Sequence, residues 1–119
     1  MRHRKRLKKL GLSKDHRESL LKNLIASLVI HGRIRTTKSR AKALAARFDR
    51  MMRLVQKRDS REAMRIMPGF CPAEMKEVAK KVANELKKKY ETRSSGLTRI
   101  TAVSQRKGDN AKLVQIELI

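Results

Sequence analysis

Three histidines, one cysteine and a large excess of cations are the residues of this chain that could do chemistry. His3, His16 and His31 lie more than a dozen residues apart, and two of them stand among cations that disfavour a bound metal ion. No Cys or His spacing fits a zinc site. Serines, histidines and aspartates are present, but no nucleophile elbow and no Gly-rich phosphate loop frames them. Cys71, between Phe70 and Pro72, reads as a small buried hydrophobe. The chain is therefore read as a non-enzyme, with no cofactor and no metal. What remains is electrostatic recognition by Lys and Arg.

That charge is extreme. Thirty-two Lys and Arg against eleven Asp and Glu give +21 over 119 residues. Self-repulsion of this size opposes compaction, which points to an anionic partner. The distribution is lopsided: residues 1–58 hold 19 cations and 3 acids, residues 59–119 hold 13 and 8. A membrane-surface segment would set Trp, Phe or Leu anchors beside its basic residues. There is no Trp, and the basic tip offers only Leu7 and Leu10. No apolar run approaches the ~20 residues needed to span a bilayer. Nucleic acid is the better partner.

Its class can be narrowed. Single-strand binders and RNA-recognition sheets stack bases on aromatic platforms, and only Phe48, Phe70 and Tyr90 exist here. A helix-turn-helix needs two closely joined helices, and the candidate pair is interrupted by a strand. A minor-groove architectural protein inserts apolar wedges from its arms, and this arm has almost none. Backbone recognition by a folded basic domain remains, with an arm threading along folded RNA.

The elements that must position these cations can be read in order. Residues 2–9 carry six cations and no acid, so residues 1–12 are expected to form an extended basic arm ahead of a single domain over 13–119. A transit peptide would be an amphipathic, Ser-rich helix. Here basic residues fall on every face and no Ser precedes Ser13. With no secretory signal and one cysteine, the chain reads as cytoplasmic.

Ser13 is placed to cap a first helix whose stripe is Leu20, Leu21, Leu24, Ile25, Leu28 and Val29, ending at Gly32. A short strand over 33–37 follows. Thr37 or Ser39 caps a second helix with Ala41, Leu44, Ala45, Phe48, Met51, Met52 and Val55 inward. Asp59 opens a third helix, stopped by Pro68-Gly69. Pro72 suits the first turn of a fourth, which buries Met75, Val78, Ala79, Val82, Leu86 and Tyr90. That helix carries Glu77–Lys81 and Glu85–Lys89 at favourable i,i+4 spacing. Residues 97–105 and 112–119 form a hairpin around the turn 106–110. The order α-β-α-α-α-β-β predicts an α+β, two-layer domain, with a small mixed sheet and the helices on one face.

The residues also resemble a known family. Met1-Arg2-His3-Arg4, His16-Arg17 with Leu20-Leu21-Lys22-Asn23-Leu24, then Leu28, His31 and Ile34 form the first block. Thr36-Thr37 with Ala41-Lys42-Ala43-Leu44 forms the second. Gly96-Leu97-Thr98-Arg99-Ile100, the Arg106–Ala111 turn and Ile116-Glu117-Leu118 form the third. In this order the blocks resemble the bacterial large-subunit ribosomal protein L-seventeen family over essentially the whole chain. Two departures stand out. Lys88-Lys89-Tyr90-Glu91 replaces the family's usual Gly-Pro-Arg-aromatic run, although Arg93 is kept nearby, and Leu97 replaces an aromatic.

The resemblance implies a constituent of the large (50S) subunit, bound to 23S rRNA near the polypeptide exit tunnel. It also implies contact with the neighbouring ribosomal protein L-thirty-two and no enzymatic activity. The expected RNA-binding residues are Arg2, His3, Arg4, Lys5, Arg6, Lys8 and Lys9 in the arm, and His16, Arg17 and Lys22 on the first helix. Arg33, Arg35, Thr36, Lys38, Arg40 and Lys42 continue the surface. Arg93, Arg99, Arg106 and Lys107 close it. The alternative is a free-standing RNA chaperone or nucleic-acid-compacting protein, which shares the charge but not the ordered blocks.

Overall fold

In the computed structural model, which describes residues 9–119, the stripe after Ser13 forms α1, Lys14–His31. Leu21, Ile25, Ala26, Leu28 and Val29 are buried along it, while Leu20 and Leu24 sit at the margin. Ser13 occupies the N-cap in extended conformation without a side-chain hydrogen bond. Gly32 ends the helix at φ 76°, its N–H donating to the Leu28 carbonyl at 2.8 Å. That left-handed backbone strains any residue with a Cβ.

Strand β1, Arg33–Thr37, leads directly into α2, Lys38–Gln56, which buries Ala41, Leu44, Phe48, Met51, Met52 and Val55. Helix α3, Ser60–Ile66, is capped by the Asp59 carboxylate, which accepts the Glu62 N–H at 2.8 Å. A 3-10 turn, Met67–Gly69, carries Pro68. The fourth helix, α4, starts later than Pro72 suggests. Residues 72–75 form a turn closed by the Met75 N–H on the Pro72 carbonyl at 3.0 Å, and helix begins at Lys76. It runs through Lys76–Lys81, a wider π-helical turn at Val82–Leu86 and a last turn at Lys87–Lys89. Met75 is consequently 39% exposed rather than core. Neither i,i+4 pair expected on α4 is closed among the described residues. Exposed pairs gain little from holding two long side chains in one geometry.

Strands β2, Thr98–Gln105, and β3, Lys112–Leu118, complete a sheet of order β1-β3-β2. The sheet is antiparallel throughout rather than mixed. β1 and β2 run in the same direction, but β3 enters between them, so every hydrogen-bonded pair is antiparallel. The register aligns Ile34, Ile116 and Ile100 in one row and Thr36, Val114 and Ala102 in the next. Val114 and Ile116 meet the helices and are buried. One continuous apolar cluster joins all four helices to the sheet. The C-terminal edge is tied down twice: the Ile119 N–H donates to the Leu97 carbonyl, and the Tyr90 hydroxyl to the Ile119 carbonyl, both at 3.0 Å.

Residues 9–12, expected to be extended, form a tight turn instead. The Leu12 N–H donates to the Lys9 carbonyl at 3.0 Å, with Leu10 and Gly11 at φ 55° and 68°. Leu10 supplies the reason: it is half-buried, in a hollow it shares with Lys38, Ser39 and Lys42. The Arg17 guanidinium holds the exit of the turn through the Leu12 carbonyl at 3.3 Å.

Candidate nucleic-acid interface

The start of α1 and the first half of α2 form the walls of an open groove, closed at one end by Gly69 and Phe70. Arg17 lies on the α1 wall, Lys42 and Arg50 on the α2 wall, and Ala43 and Ala46 between them. Helical geometry dictates this arrangement. Residues 42, 46 and 50 are one turn apart and fall on one side of α2, while Leu44, Phe48 and Met52 point into the core. The small alanines leave the space between the cations open.

Arg47 is committed to structure instead. Its Nη2 donates to the Glu18 carboxylate at 3.0 Å and to the Gly69 carbonyl at 2.8 Å, and its guanidinium lies 5.6 Å from the centre of the Phe70 ring. Its Nε is buried without a hydrogen-bond partner among the described residues. The hydrogen bond and charge of Arg47 hold the Glu18 carboxyl below its usual range. Glu18 is therefore an anion, and it is already matched.

Lys9 is exposed at the described end of the arm. Leu10 rests beside Lys38 and Lys42, which sets the turn over residues 9–12 against the start of α2. Lys42 borders both that hollow and the groove, so one cationic path runs from Lys38 past Lys42 to Arg50. His16 and Arg40 are exposed and Lys22 is half-buried. Arg2, His3, Arg4, Lys5, Arg6 and Lys8 lie outside the described residues.

The sheet presents a second basic face, away from the helices. Its register sets Arg33 and Arg99 on either side of Glu117, and Arg35 beside Gln115 in the next row. Arg99 reaches Glu117 at 3.7 Å. Thr36 does not share this face: it stands across from buried Val114 and is half-buried. The period of two residues along a strand separates it from Arg33 and Arg35.

The hairpin turn lies just beyond the β1 pairing, which covers β3 from Leu113 to Glu117, and every residue from Arg99 to Asn110 is exposed. Its tip is ordered by Asp109, whose two carboxylate oxygens accept from the Arg106 guanidinium at 3.1 and 2.5 Å and whose Oδ1 also accepts the Ala111 N–H at 3.2 Å. Those donors draw the Asp109 pKa down to about 2. Lys107 stands exposed beside the fixed Arg106. Arg93 is exposed on the connector before β2, while its backbone carbonyl accepts from the Gln56 amide at 2.9 Å.

Arg47 is the residue that sequence reasoning passed over, while Asp49 was legible only as the one acid opposing the basic face of α2 and Asp109 only as a turn residue. Arg50 belongs to the cationic side of α2 that periodicity does reveal. The roles of Arg47, Asp49 and Asp109 depend on partners brought in by the fold or by a turn. Among the described residues no group of three His, Cys, Asp or Glu could hold a metal ion, and no helix is long and apolar enough to cross a membrane.

The family model described as Ribosomal protein L17 matches residues 20–119. The chain belongs to the ribosomal protein L17 family. Curated relatives extend the likeness through the arm. A protein of Sulfurimonas denitrificans named large ribosomal subunit protein bL17 is 40% identical over all of both chains. The protein of that name from Fusobacterium nucleatum is 41% identical, again over all of both. Its namesake from Clostridium kluyveri is 39% identical over 94% of this chain and 96% of its own. This L17-family protein is a structural, non-enzymatic protein. Cys71 fits that description: it is buried, its thiol donates to the Met67 carbonyl at 3.4 Å, and burial pushes its pKa up. A raised pKa disfavours the reactive thiolate.

Proposed function

We propose that this chain is a structural constituent of the large (50S) ribosomal subunit in the bacterial cytoplasm. It binds 23S rRNA near the polypeptide exit tunnel, with ribosomal protein L-thirty-two as a neighbour. The full-length relationship to proteins named for the large subunit carries this reading. The placement of its cations supports it: one set runs from the arm along α1 and α2, another lies on the open face of the sheet, and a third sits on the hairpin tip. Two faces and an exposed hairpin turn suit a protein that holds several RNA segments together, with the core as spacer. Arg forks onto phosphate oxygens and Lys acts as a point charge.

Neutralising about six to ten phosphates makes affinity fall roughly 10³–10⁵-fold between low and moderate salt. A flat salt dependence on purified large-subunit rRNA would exclude the mechanism. Sedimentation of a lysate tests the assignment itself. Co-migration with mature large subunits through a high-salt gradient is expected, whereas a free or nucleoid-bound pool would favour an RNA chaperone. Crosslinking on the intact subunit tests the tunnel location and the L-thirty-two contact.

A further inference from the structure

The described surface offers several places where a function beyond packing could reside. The exposed Ile30 and Met75 form an apolar patch rimmed by Glu74, Lys76, Glu77 and Lys81, but its mixed charges select no occupant. The hollow lined by Gln56, Ser60, Asn84, Lys87 and Glu91 is open, and its Gln56 amide and Lys87 ammonium are already used on the Tyr90, Arg93 and Arg58 carbonyls. The α1–α2 groove differs in having charge, shape and continuity together.

We infer that the groove between α1 and α2 is a seat for one RNA sugar–phosphate strand, with Arg17 on one wall, Lys42 and Arg50 on the other, and the Ala43–Ala46 surface as its floor. The inference rests on the ribosomal assignment above and specifies how this protein takes hold of its RNA.

Three observations carry it. First, the wall cations are free for an outside anion. Neither Lys42 nor Arg50 makes an ion pair among the described residues, and Arg17 uses one nitrogen on a backbone carbonyl. The one carboxylate lining the groove, Glu18, is bound by Arg47, so it does not compete for them. Second, Ala43 and Ala46 line the groove together with Leu21 and Phe70, and the small alanines let a backbone approach while cations reach it from both sides. Third, the groove is continuous with the root of the arm through Lys42. A strand held by the arm can pass into it without a gap in positive potential.

The walls are also fixed in advance. Arg47 ties α2 both to Glu18 on α1 and to Gly69 at the closed end, which sets the groove before RNA arrives. Preorganisation of this kind lowers the ordering cost of binding.

The test uses the full chain and deproteinised large-subunit rRNA, with binding measured over a series of salt concentrations. The Lys42→Gln/Arg50→Gln double variant is expected to lower the salt slope by about 0.7–0.9 per residue removed. Ala46→Gln adds bulk to the exposed floor without altering charge. It is expected to weaken binding about tenfold, the scale of one lost hydrogen bond to a charged group, with the slope little changed. Lys76→Gln/Lys80→Gln, at two exposed positions of α4, is the charge-matched control for the double variant, and helical circular dichroism verifies the fold of each variant. If the double variant matches Lys76→Gln/Lys80→Gln and Ala46→Gln matches the wild type, which itself binds normally, the groove is not an RNA seat and the ribosomal reading stands. If the wild type does not bind this rRNA, both readings are overturned.

Discussion

The Arg47 guanidinium on α2 meets the Glu18 carboxylate on α1 at 3.0 Å and, through the same nitrogen, the Gly69 carbonyl at 2.8 Å. One side chain thus joins two helices and the turn after α3, while stacking on Phe70. The ion pair contributes only part of this. Glu18 is 43% exposed, and solvent screening limits such a pair to about 1 kcal/mol. Arg47→Ala also removes the Gly69 bond and the stacking, so a loss of about 1–3 kcal/mol is expected by urea denaturation. Arg47→Lys keeps the charge but not the planar fork and should recover less than half of it. A loss no greater than that of Lys80→Gln would show that the three elements hold together without Arg47.

The same pair sets an acid limit. Arg47 holds the Glu18 carboxyl below its ordinary 4.5, so the ionised form is favoured by folding. A lowered folded pKa contributes stability above the unfolded value and loses it as pH falls through the folded one. The stability difference between wild type and Glu18→Gln is therefore expected to be constant near neutrality and to shrink below pH 4.5. Thermal unfolding of both proteins across pH 3–7 reads this directly. A difference independent of pH would show that the Glu18 charge is not used.

Asp49 has a task that its charge conceals. Its carboxylate accepts the Gly96 N–H at 3.3 Å and the Leu97 N–H at 3.4 Å. This fixes the chain entering β2 and helps seat Leu97, which is fully buried. Asp49→Ala is expected to cost about 1 kcal/mol and to raise amide hydrogen exchange at residues 96–98 ahead of the rest of β2. Unchanged exchange there would assign the docking to Leu97 burial alone.

At the hairpin tip, charge and geometry make opposite predictions. Removing Asp109 makes the protein more cationic, which by electrostatics alone strengthens RNA binding. Yet Asp109 holds both the Arg106 guanidinium and the turn backbone. If the tip binds RNA as a fixed device, Asp109→Ala lowers affinity for large-subunit rRNA despite the added charge. An increase in affinity would show that only net charge matters there.

For the arm, deletion of residues 2–8 is expected to keep helical circular dichroism and the unfolding midpoint while lowering incorporation into large subunits. Deletion through Leu12 removes the turn that rests beside Lys38 and Lys42 and should also lower the midpoint. Equal midpoints for the two deletions would mean that the turn adds nothing to stability.

The sequence by itself determined the element order, the buried faces of α1, α2 and β3, the caps at Asp59 and Gly32, and the cationic character of the surface. Each is a local property. Apolar period, turn chemistry and charge density are written within a few residues of one another, and burial follows because each stripe needs a partner. Tertiary structure decided what local pattern leaves open. It made the sheet antiparallel by inserting β3 between β1 and β2, and placed Arg33, Arg35 and Arg99 on one face while turning Thr36 to the other. It exposed Met75 by starting α4 at Lys76. It also divided the cations by use: Arg47 spans two helices and a turn, whereas Lys42 and Arg50, on the same helix, remain without ion-pair partners among the described residues. Identical charges acquire different roles only when distant segments bring, or fail to bring, an acceptor within hydrogen-bond reach.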